Sequence, residues 1–480
     1  MKTFKAFTLL LATLLATNIC AQTVTLDPTF GENGMTVIPA TGTGQFELFD
    51  FDKRGNIIAV GHISNEDKCS LVIVKTNANG MLDQSFGTNG IVTIPEYNKA
   101  GVLALKITKE NKIFITGNFE NKRCFMQFNG DGALDETFGD NGKIILELGM
   151  GTLTINLEND DFVLFGSIDP NSDQPCILKC NYYGVIDETF GENGRLYLTI
   201  SEELWLRPRS IKMLNDQSIL IAGTWATFCK IDTHGNFVTD FANNGIRIYA
   251  LESNGYPATT IAPYIIDIKE DLNGNLTLLV TVHEVLPTLQ VSIACRFYPN
   301  GDTDSSFGVR GYYRYSWPYP YSYYYPERPQ KILQNGDNYI IGAYDKIRNL
   351  NHSGILDPDF NHTGIYDCEN FVFQDMKLQG TDKLILGGTS NGNLAIIRLS
   401  IPYKATEITH YTENRINIFP NPTTNYLYFN KEVKFEIMDI QGRVLLRSKK
   451  PVQSVNVSHL RAGVYFIKFE GGNVGKFLKI

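Results

Sequence analysis

The sequence of 480 residues predicts an all-β protein, a seven-bladed β-propeller followed by a small C-terminal β-sandwich. Three observations lead to this fold class. One short motif occurs seven times at intervals of 51 to 66 residues, each interval holds four strand-like runs, and the last part of the chain follows a different pattern. The 42 glycines and 19 prolines agree with a chain that turns often.

The repeated motif reads LDPTFGENG in its first copy. Strong copies begin at Leu26, Leu82, Leu134 and Ile186, and weaker copies begin at Phe237, Thr303 and Leu356. In the second copy the runs rich in β-branched and aromatic residues begin at Ile91, Val102, Lys112 and Cys124. Four strands per unit, repeated seven times, favour a propeller over a β-helix or an array of separate sandwiches.

Glycine and phenylalanine hold fixed places in this motif. A glycine stands four residues after every motif phenylalanine, as Gly34 follows Phe30, and another stands six residues before each phenylalanine except the first. Such placement predicts positive φ angles at both ends of a tight connection, which we place between the last strand of one blade and the strand after it. The phenylalanine is predicted to anchor the core, and an aspartate three residues before it, such as Asp27, is predicted to close an Asx turn.

A series of basic residues accompanies the motif. Lys75, Lys179, Lys230 and Arg296 lie eleven residues before the next phenylalanine, Arg348 lies twelve before, and Arg398 lies in the last strand of the repeat region. We expect these cations to pair with the aspartate of the turn that follows. The strand of Arg398 has no motif after it and the first motif has no strand before it, so the two ends are expected to close one ring over residues 22–400.

The GxLDxxFGxxG pattern resembles the delta-60 repeat, a family of bacterial propeller repeats. The resemblance covers about 375 residues, strongly in four copies and loosely in three. It implies a propeller fold and no established activity.

The N-terminus has the order of a secretory signal peptide over residues 1–21. Lys2 and Lys5 precede an apolar run from residue 7 to residue 16, and cleavage is predicted after Ala21. Acylation of Cys20 is the alternative. No later stretch reaches the roughly 18 apolar residues that a membrane-spanning helix needs. The other seven cysteines are an odd number, four of them lie at even offsets from the motif, and we expect buried hydrophobic side chains.

A linker is predicted over residues 401–414, and a second domain over residues 415–480. The second domain resembles the C-terminal sorting domain of the type IX (Por) secretion system. Matching residues are Pro420, Asn421 and Pro422 of the opening PNP, Asp439, Gly442 and Arg443 of a central DxxGR, Leu460, Gly463 and Tyr465 of LxxGxY, and Lys476 in the terminal strand. The resemblance implies Sec export, the type IX secretion machinery as partner, a secreted or outer-membrane surface-attached product, and usual removal of the tail.

The sequence offers little support for catalysis. The net charge of −8 lies in an acidic main body, which argues against nucleic acid as a partner. There is no HExxH or P-loop, and the paired acids, such as Asp135 with Glu136, recur with the repeat as architectural residues do. We therefore predict no catalytic residue, metal site or cofactor. Calcium in a Gly-rich acidic turn, such as the one around Asp131, is the alternative.

An aromatic segment is the strongest candidate for a binding site. It starts at Tyr312 and holds eight tyrosines and one tryptophan in eighteen residues, and the preceding repeat has a long loop at the corresponding place. The predicted patch comprises Tyr313, Tyr315, Trp317, Tyr319, Tyr321, Tyr323 and Tyr256. Such side chains stack on sugars or protein surfaces, so we predict a non-catalytic propeller that binds glycan or protein through one face. Simple packing of the loop over its neighbour, and an extracellular polymer-degrading enzyme, are the alternatives.

Overall fold

A computed structural model describes most of the chain. The described residues are 23–40, 42–65, 68–97, 100–119, 122–146, 155–156, 163–168, 174–181, 183, 185–199, 206–249, 261–283, 289–318, 330–343, 345–402, 418–419, 423–469 and 474–479. The chain divides into two compact units, Met1–Tyr403 and Lys404–Ile480. All regular elements in the described residues are strands.

Seven sheets of at least four strands make up the described part of the first unit. Two short strands come first in the chain, β1 (Thr25–Leu26) and β2 (Met35–Ile38). Blade 1 holds β3 (Thr43–Phe51), β4 (Ile57–Asn65), β5 (Lys68–Thr76) and β6 (Ile91–Tyr97). Blade 2 holds β7 (Ala100–Ile107), β8 (Ile113–Phe119), β9 (Lys122–Phe128) and β10 (Lys143–Leu146). Blade 3 holds β11 (Ile155–Asn156), β12 (Val163–Ile168), β13 (Pro175–Cys180) and β14 (Arg195–Tyr197).

The remaining blades follow the same order. Blade 4 holds β15 (Pro208–Met213), β16 (Ile219–Gly223), β17 (Thr227–Ile231) and β18 (Ile246–Ile248). Blade 5 holds β19 (Ile261–Glu270), β20 (Leu276–His283), β21 (Leu289–Phe297) and β22 (Tyr312–Pro318). Blade 6 holds β23 (Gln330–Asn335), β24 (Asn338–Ala343), β25 (Lys346–Leu350) and β26 (Ile365–Asp367). Blade 7 holds β27 (Val372–Leu378), β28 (Lys383–Ser390) and β29 (Asn393–Ser400), completed by β1 and β2.

The first strands of successive blades contact one another in a closed cycle, from β3 through β7, β11, β15, β19, β23 and β27 back to β3. This cycle is the architecture of a seven-bladed β-propeller, as the sequence predicted. The prediction that the two ends complete each other is also confirmed. Strand β2 pairs antiparallel with β29, with Met35 opposite Ile397 and Ile38 opposite Leu394.

The position of the motif within a blade differs from the prediction. The motif that begins at Leu82 connects β5 to β6, and β6 pairs with β5 in the same blade, with Leu71 opposite Ile94. The motif therefore joins the third and fourth strands of one blade, whereas we had expected it at the end of a blade. The order of strands along the chain does not reveal which neighbours pair. This offset leaves the last blade without a fourth strand, which β2 supplies.

The motif phenylalanine and the glycine of the next blade pack against each other. The seven phenylalanines are at most 2% exposed. Gly132 has φ 91°, and a Cβ atom there would lie 2.9 Å from the ring of Phe86 in the preceding blade. The Gly87 N–H donates to the Asp131 carbonyl across the same interface at 2.9 Å. A side chain at Gly132 would therefore separate two blades, which explains the recurrence of glycine there.

The predicted ring of basic side chains is present. The cation pairs with the motif aspartate in Lys75–Asp83 (3.2 Å), Lys179–Asp187 (2.9 Å), Arg296–Asp304 (2.7 Å) and Arg398–Asp27 (2.9 Å). The same cations donate to a backbone carbonyl of the next blade, as Lys75 does to Gly130 at 3.1 Å and Arg398 to Ala78 at 3.0 Å. Each cation thus joins its own turn to the neighbouring blade.

Three positions depart from this pattern. In blade 2 the series has Gln127 in place of a cation, and Lys112 pairs with Asp135 instead. In blade 4 the motif has Val238 in place of the aspartate, and Lys230 pairs instead with Asp216 at 2.7 Å. Arg348 was expected to pair with Asp357, but its guanidinium lies 4.6 Å from the ring centre of Tyr315. Because Arg348 is one residue out of register, it lies on the opposite face of its strand.

The seven cysteines from Cys69 to Cys368 are free and buried, as predicted. Burial raises the pKa of the Cys229 thiol to about 12. These thiols act as small core side chains.

The second unit is a sandwich of two sheets in its described part. One sheet holds β30 (Ile418–Phe419), β31 (Tyr426–Val433) and β34 (Val452–Asn456). The other holds β33 (Val444–Arg447), β32 (Phe435–Met438), β35 (Gly463–Phe469) and β36 (Val474–Lys479). Leu427 and Phe429 of the first sheet and Ile437 and Ile467 of the second belong to one buried cluster. This arrangement confirms the predicted small β-sandwich.

The propeller is expected to lose stability in acid. Hydrogen bonds from Thr189 and Lys179 lower the pKa of Asp187 from 3.8 to about 2, and a hydrogen bond from Ser85 lowers the pKa of Asp83. A carboxylate with a depressed folded-state pKa stabilises the fold fully above its usual pKa, and this contribution is lost as pH falls through the folded value. The midpoint of thermal unfolding should therefore fall steeply between about pH 4 and pH 2. A midpoint constant from pH 7 to pH 2 would contradict the role of these carboxylates.

Candidate functional site

The two ends of the propeller are built differently. Because the strands alternate in direction, the motif turns and the turns between first and second strands lie at one end, which we call the repeated end. The hairpins between second and third strands and the connections between blades lie at the other, which we call the variable end. The repeated end is occupied by the aspartate and cation network described above. A site particular to this protein is therefore expected at the variable end.

The predicted aromatic patch is only partly described. Tyr313, Tyr315 and Trp317 lie in β22, the fourth strand of blade 5. Tyr319, Tyr321, Tyr323 and Tyr256 lie outside the described residues. The rings of Tyr313 and Tyr315 are stacked, with centres 5.9 Å apart.

Tyr315 requires a correction. Its side chain was predicted to contact a ligand, but the residue is only 6% exposed and packs with Ile341 and Leu350 of blade 6. Burial raises the pKa of its hydroxyl, and the Arg348 guanidinium covers its ring. Side chains two residues apart in a strand share a face, so Tyr313 and Tyr315 lie on the same face of β22, and this face packs against blade 6. Tyr315 stabilises the contact between blades 5 and 6.

Trp225 lies at the tip of the β16–β17 hairpin and was not identified from the sequence. Its φ is 59° and that of Ala226 is 47°, and the Thr227 N–H donates to the Thr224 carbonyl at 3.1 Å. Two central residues at positive φ are the geometry of a type I′ turn, which favours Asn and Gly. Holding a residue other than glycine there costs on the order of 1–3 kcal/mol. The indole is nevertheless 48% exposed, so core packing does not account for it.

The segments beside this hairpin hold further aromatic and basic residues. The Arg209 guanidinium lies 5.0 Å from the ring centre of Tyr264, which is 5% exposed at the start of blade 5. Tyr249, which is also buried, ends the described stretch that precedes Tyr256 in the sequence. Arg207 is exposed next to the hairpin. Its backbone N–H donates to the Thr224 hydroxyl at 3.0 Å. Blade 4 thus presents an exposed indole and an exposed arginine at the variable end.

A repeat alignment contains the signal that would have revealed Trp225. The corresponding hairpin of blade 7 has Asn391 and Gly392 at its tip, with φ 48° and 78°. The sequence TWAT stands in that place in blade 4. A bulky residue where the turn favours asparagine is detectable only when the strands on both sides have been assigned.

Charged groups on the first strands of the blades connect neighbouring blades. Asp267 of β19 accepts the Ile332 N–H at 2.9 Å, and Asp375 of β27 accepts the Phe49 N–H at 3.2 Å. The Lys331 ammonium lies 3.9 Å from Asp375. Burial raises the pKa of Asp267. Each carboxylate satisfies the backbone of the next blade, so these groups have a structural task.

The described residues contain no group of three or more His, Cys, Asp or Glu that could hold a metal ion. The turn proposed for calcium uses its carboxylates internally, since Asp131 accepts the Ala133 N–H at 3.0 Å and Asp135 accepts from Thr137 and Lys112. In the same part of the chain, we find no helix with the length and apolar character needed to cross a membrane.

The second unit places most of the predicted sorting motif in its turns and strands. Asp439 accepts the Arg443 backbone N–H at 3.0 Å and its side-chain Nε at 2.7 Å, and these bonds lower the pKa of Asp439. Gly442 completes the turn at φ 77°. The Tyr465 hydroxyl donates to the Arg461 carbonyl at 2.8 Å and its ring stacks on Phe477.

Two further members of the motif lie in the second sheet. Gly463 starts β35 and Lys476 lies exposed in β36. Pro420, Asn421 and Pro422 lie outside the described residues.

Comparison with known proteins agrees with the interpretation of the tail. Residues 417–480 match the family described as the secretion system C-terminal sorting domain. This match indicates export through the type IX system to the cell surface or the extracellular space. No match was found among curated proteins.

Several solved structures are similar to the chain at low identity. Semaphorin 2a of Drosophila is 9% identical with a TM-score of 0.44, over 92% of this chain and 97% of that one. The Nup133 β-propeller domain of Vanderwaltozyma polyspora is 11% identical with a TM-score of 0.42, over 77% and 98%. The polysaccharide lyase Uly1 is 11% identical with a TM-score of 0.40, over 78% and 92%. Similarity at this level carries no information about binding or catalysis.

Proposed function

We propose that this protein is an exported, non-catalytic binding propeller that recognises a glycan or a surface protein at its variable end. The observation that carries the proposal is the contrast between the two ends. The repeated end uses its charged groups to join blades, whereas blade 4 presents an exposed indole and an exposed arginine at the variable end. Aromatic residues placed on a rigid scaffold suit recognition of flat or apolar ligand surfaces.

The delivery route follows from the two ends of the chain. Residues 1–21 act as a signal peptide, and the sorting domain engages the type IX secretion machinery. The propeller is then secreted or attached at the outer-membrane surface. The delta-60 resemblance of the repeats accords with a bacterial exported scaffold.

Binding is tested with the mature chain, residues 22–480, on an array of glycans and surface proteins, with and without calcium. We expect saturable binding to at least one class of ligand that does not depend on calcium. Absence of binding to every class would contradict the proposed function. New reducing ends released from an arrayed polysaccharide would instead identify an enzyme.

The secreted form is expected to lack the sorting tail. Its intact mass should correspond to a chain that begins at Gln22 and ends in the region between the two compact units, because the sorting domain has no further task after export. A secreted product that still ends at Ile480 would contradict removal of the tail.

A further inference from the structure

We propose that Trp225 is the stacking surface for a pyranose ring, so that the ligand of the variable end is a polysaccharide. This inference rests on the proposed function, because it names the ligand class of the same end of the propeller. Three features of the β16–β17 hairpin support it, namely its residue types, its rigidity and its surroundings.

The residue types oppose the backbone conformation. Trp225 and Asn391 occupy the same place in their hairpins and have similar φ angles of 59° and 48°. Asparagine tolerates this conformation far better than tryptophan, and the following glycine of blade 7 better than Ala226. Backbone strain at an exposed aromatic residue indicates that the side chain has a function other than stabilising the fold.

Hydrogen bonds to neighbouring segments fix the hairpin on both sides. Besides the turn's own bond, the Ala226 N–H donates to the Pro263 carbonyl of blade 5 at 2.9 Å and the Tyr249 N–H donates to the Ala226 carbonyl at 3.2 Å. The Arg207 N–H holds the Thr224 hydroxyl at 3.0 Å. The indole therefore extends from a backbone anchored on both sides, which reduces the entropy lost when a ligand binds.

The surroundings favour a sugar over a protein. Between residues 206 and 249, the large apolar side chains that are exposed are Trp225 and Ile248. A stable protein interface buries about 800 Å² per partner around an apolar core, and residues 206–249 offer two exposed apolar side chains to such a core. One flat aromatic ring bordered by threonine and arginine matches the apolar face and polar rim of a pyranose.

The test replaces the hairpin tip of blade 4 by that of blade 7, in the double variant Trp225→Asn, Ala226→Gly. The control is Tyr183→Asn, which removes a 67% exposed aromatic residue at the repeated end. Affinity electrophoresis of the mature chain in gels with laminarin, xylan, alginate or polygalacturonate measures binding, and thermal unfolding measures the fold. We expect the double variant to bind at least tenfold more weakly with an equal or higher unfolding midpoint, and the control to bind like the parent protein.

Other outcomes separate the two proposals. If the parent binds a polysaccharide and the double variant binds it equally, the stacking role is wrong and the proposed function stands. If the parent binds only surface proteins on the array, the polysaccharide assignment is wrong while the proposed function still stands. If the parent binds neither class, both proposals fail.

Discussion

A chain that begins at residue 39 instead of residue 22 is expected to lose cooperative folding. The deleted segment contains β1 and β2, which complete blade 7 by pairing with β29. It also buries Val24, Phe30 and Ile38, each at most 3% exposed. Burial of three such side chains contributes about 5–9 kcal/mol, against a total stability of roughly 5–15 kcal/mol for a folded domain. Thermal unfolding followed by near-ultraviolet circular dichroism should show no sharp transition.

Two controls distinguish ring closure from a general effect of truncation. Removing only residues 22 and 23 should change the unfolding midpoint little, since Val24 is kept and the hydrogen bond between Thr23 and His362 is exposed. Adding a peptide of residues 22–40 to the truncated chain should restore the transition. A truncated chain that melts within a few degrees of the parent would show that blade 7 is stable with three strands.

The substitution Asp27→Asn is expected to reduce the free energy of unfolding by about 3–5 kcal/mol, because it leaves a buried cation without its anion. Asp27 Oδ2 lies 2.9 Å from Arg398 Nε and 3.0 Å from Lys383 Nζ, and the Asp27 and Arg398 side chains are 5% and 7% exposed. The other oxygen, Oδ1, accepts the Thr29 N–H and hydroxyl. Asparagine retains that acceptor, so the substitution removes the charge and leaves the Asx turn in place. Urea unfolding at pH 7 measures the change.

The matched control is Asp187→Asn in blade 3. Asp187 makes the same bonds, to Thr189 through Oδ1 and to Lys179 through Oδ2, but its side chain is 30% exposed. A more exposed pair contributes about 0–1 kcal/mol. Equal losses of unfolding free energy in the two variants would mean that burial of the Asp27–Arg398 ion pair does not determine how much it stabilises the fold.

The propeller fold could be predicted from the sequence because each residue that recurs in the motif has one physical role. A glycine such as Gly132, required by positive φ and by contact with Phe86, recurs wherever two blades meet. The pairing of Arg398 with Asp27 could be predicted from the two incomplete ends of the repeat. These inferences depend on spacing, which the sequence displays directly.

The candidate site was harder to predict because it consists of departures from the repeat. Tyr315 appears in a tyrosine-rich run, and only the packing of blade 6 against its face of β22 shows that it is buried against Arg348. Trp225 is one residue in an ordinary-looking segment, and it becomes conspicuous when the strands on both sides are assigned and its φ of 59° is known. Side-chain direction and dihedral strain are properties of three-dimensional pairing, which spacing alone does not determine.

The pairing of β2 with β29 also sets the order of events during folding. Asp27 and Arg398 are 371 residues apart, and closing a free loop of that length costs about 5 kcal/mol of chain entropy. Blades 1 to 6 are made of contacts local in sequence, so they can form before the two ends meet and bring those ends together as they pack. Strand β2, which is synthesised before every strand of blades 1 to 6, is therefore the last to find its partner, and until it does, blade 7 exposes an unpaired edge along β29.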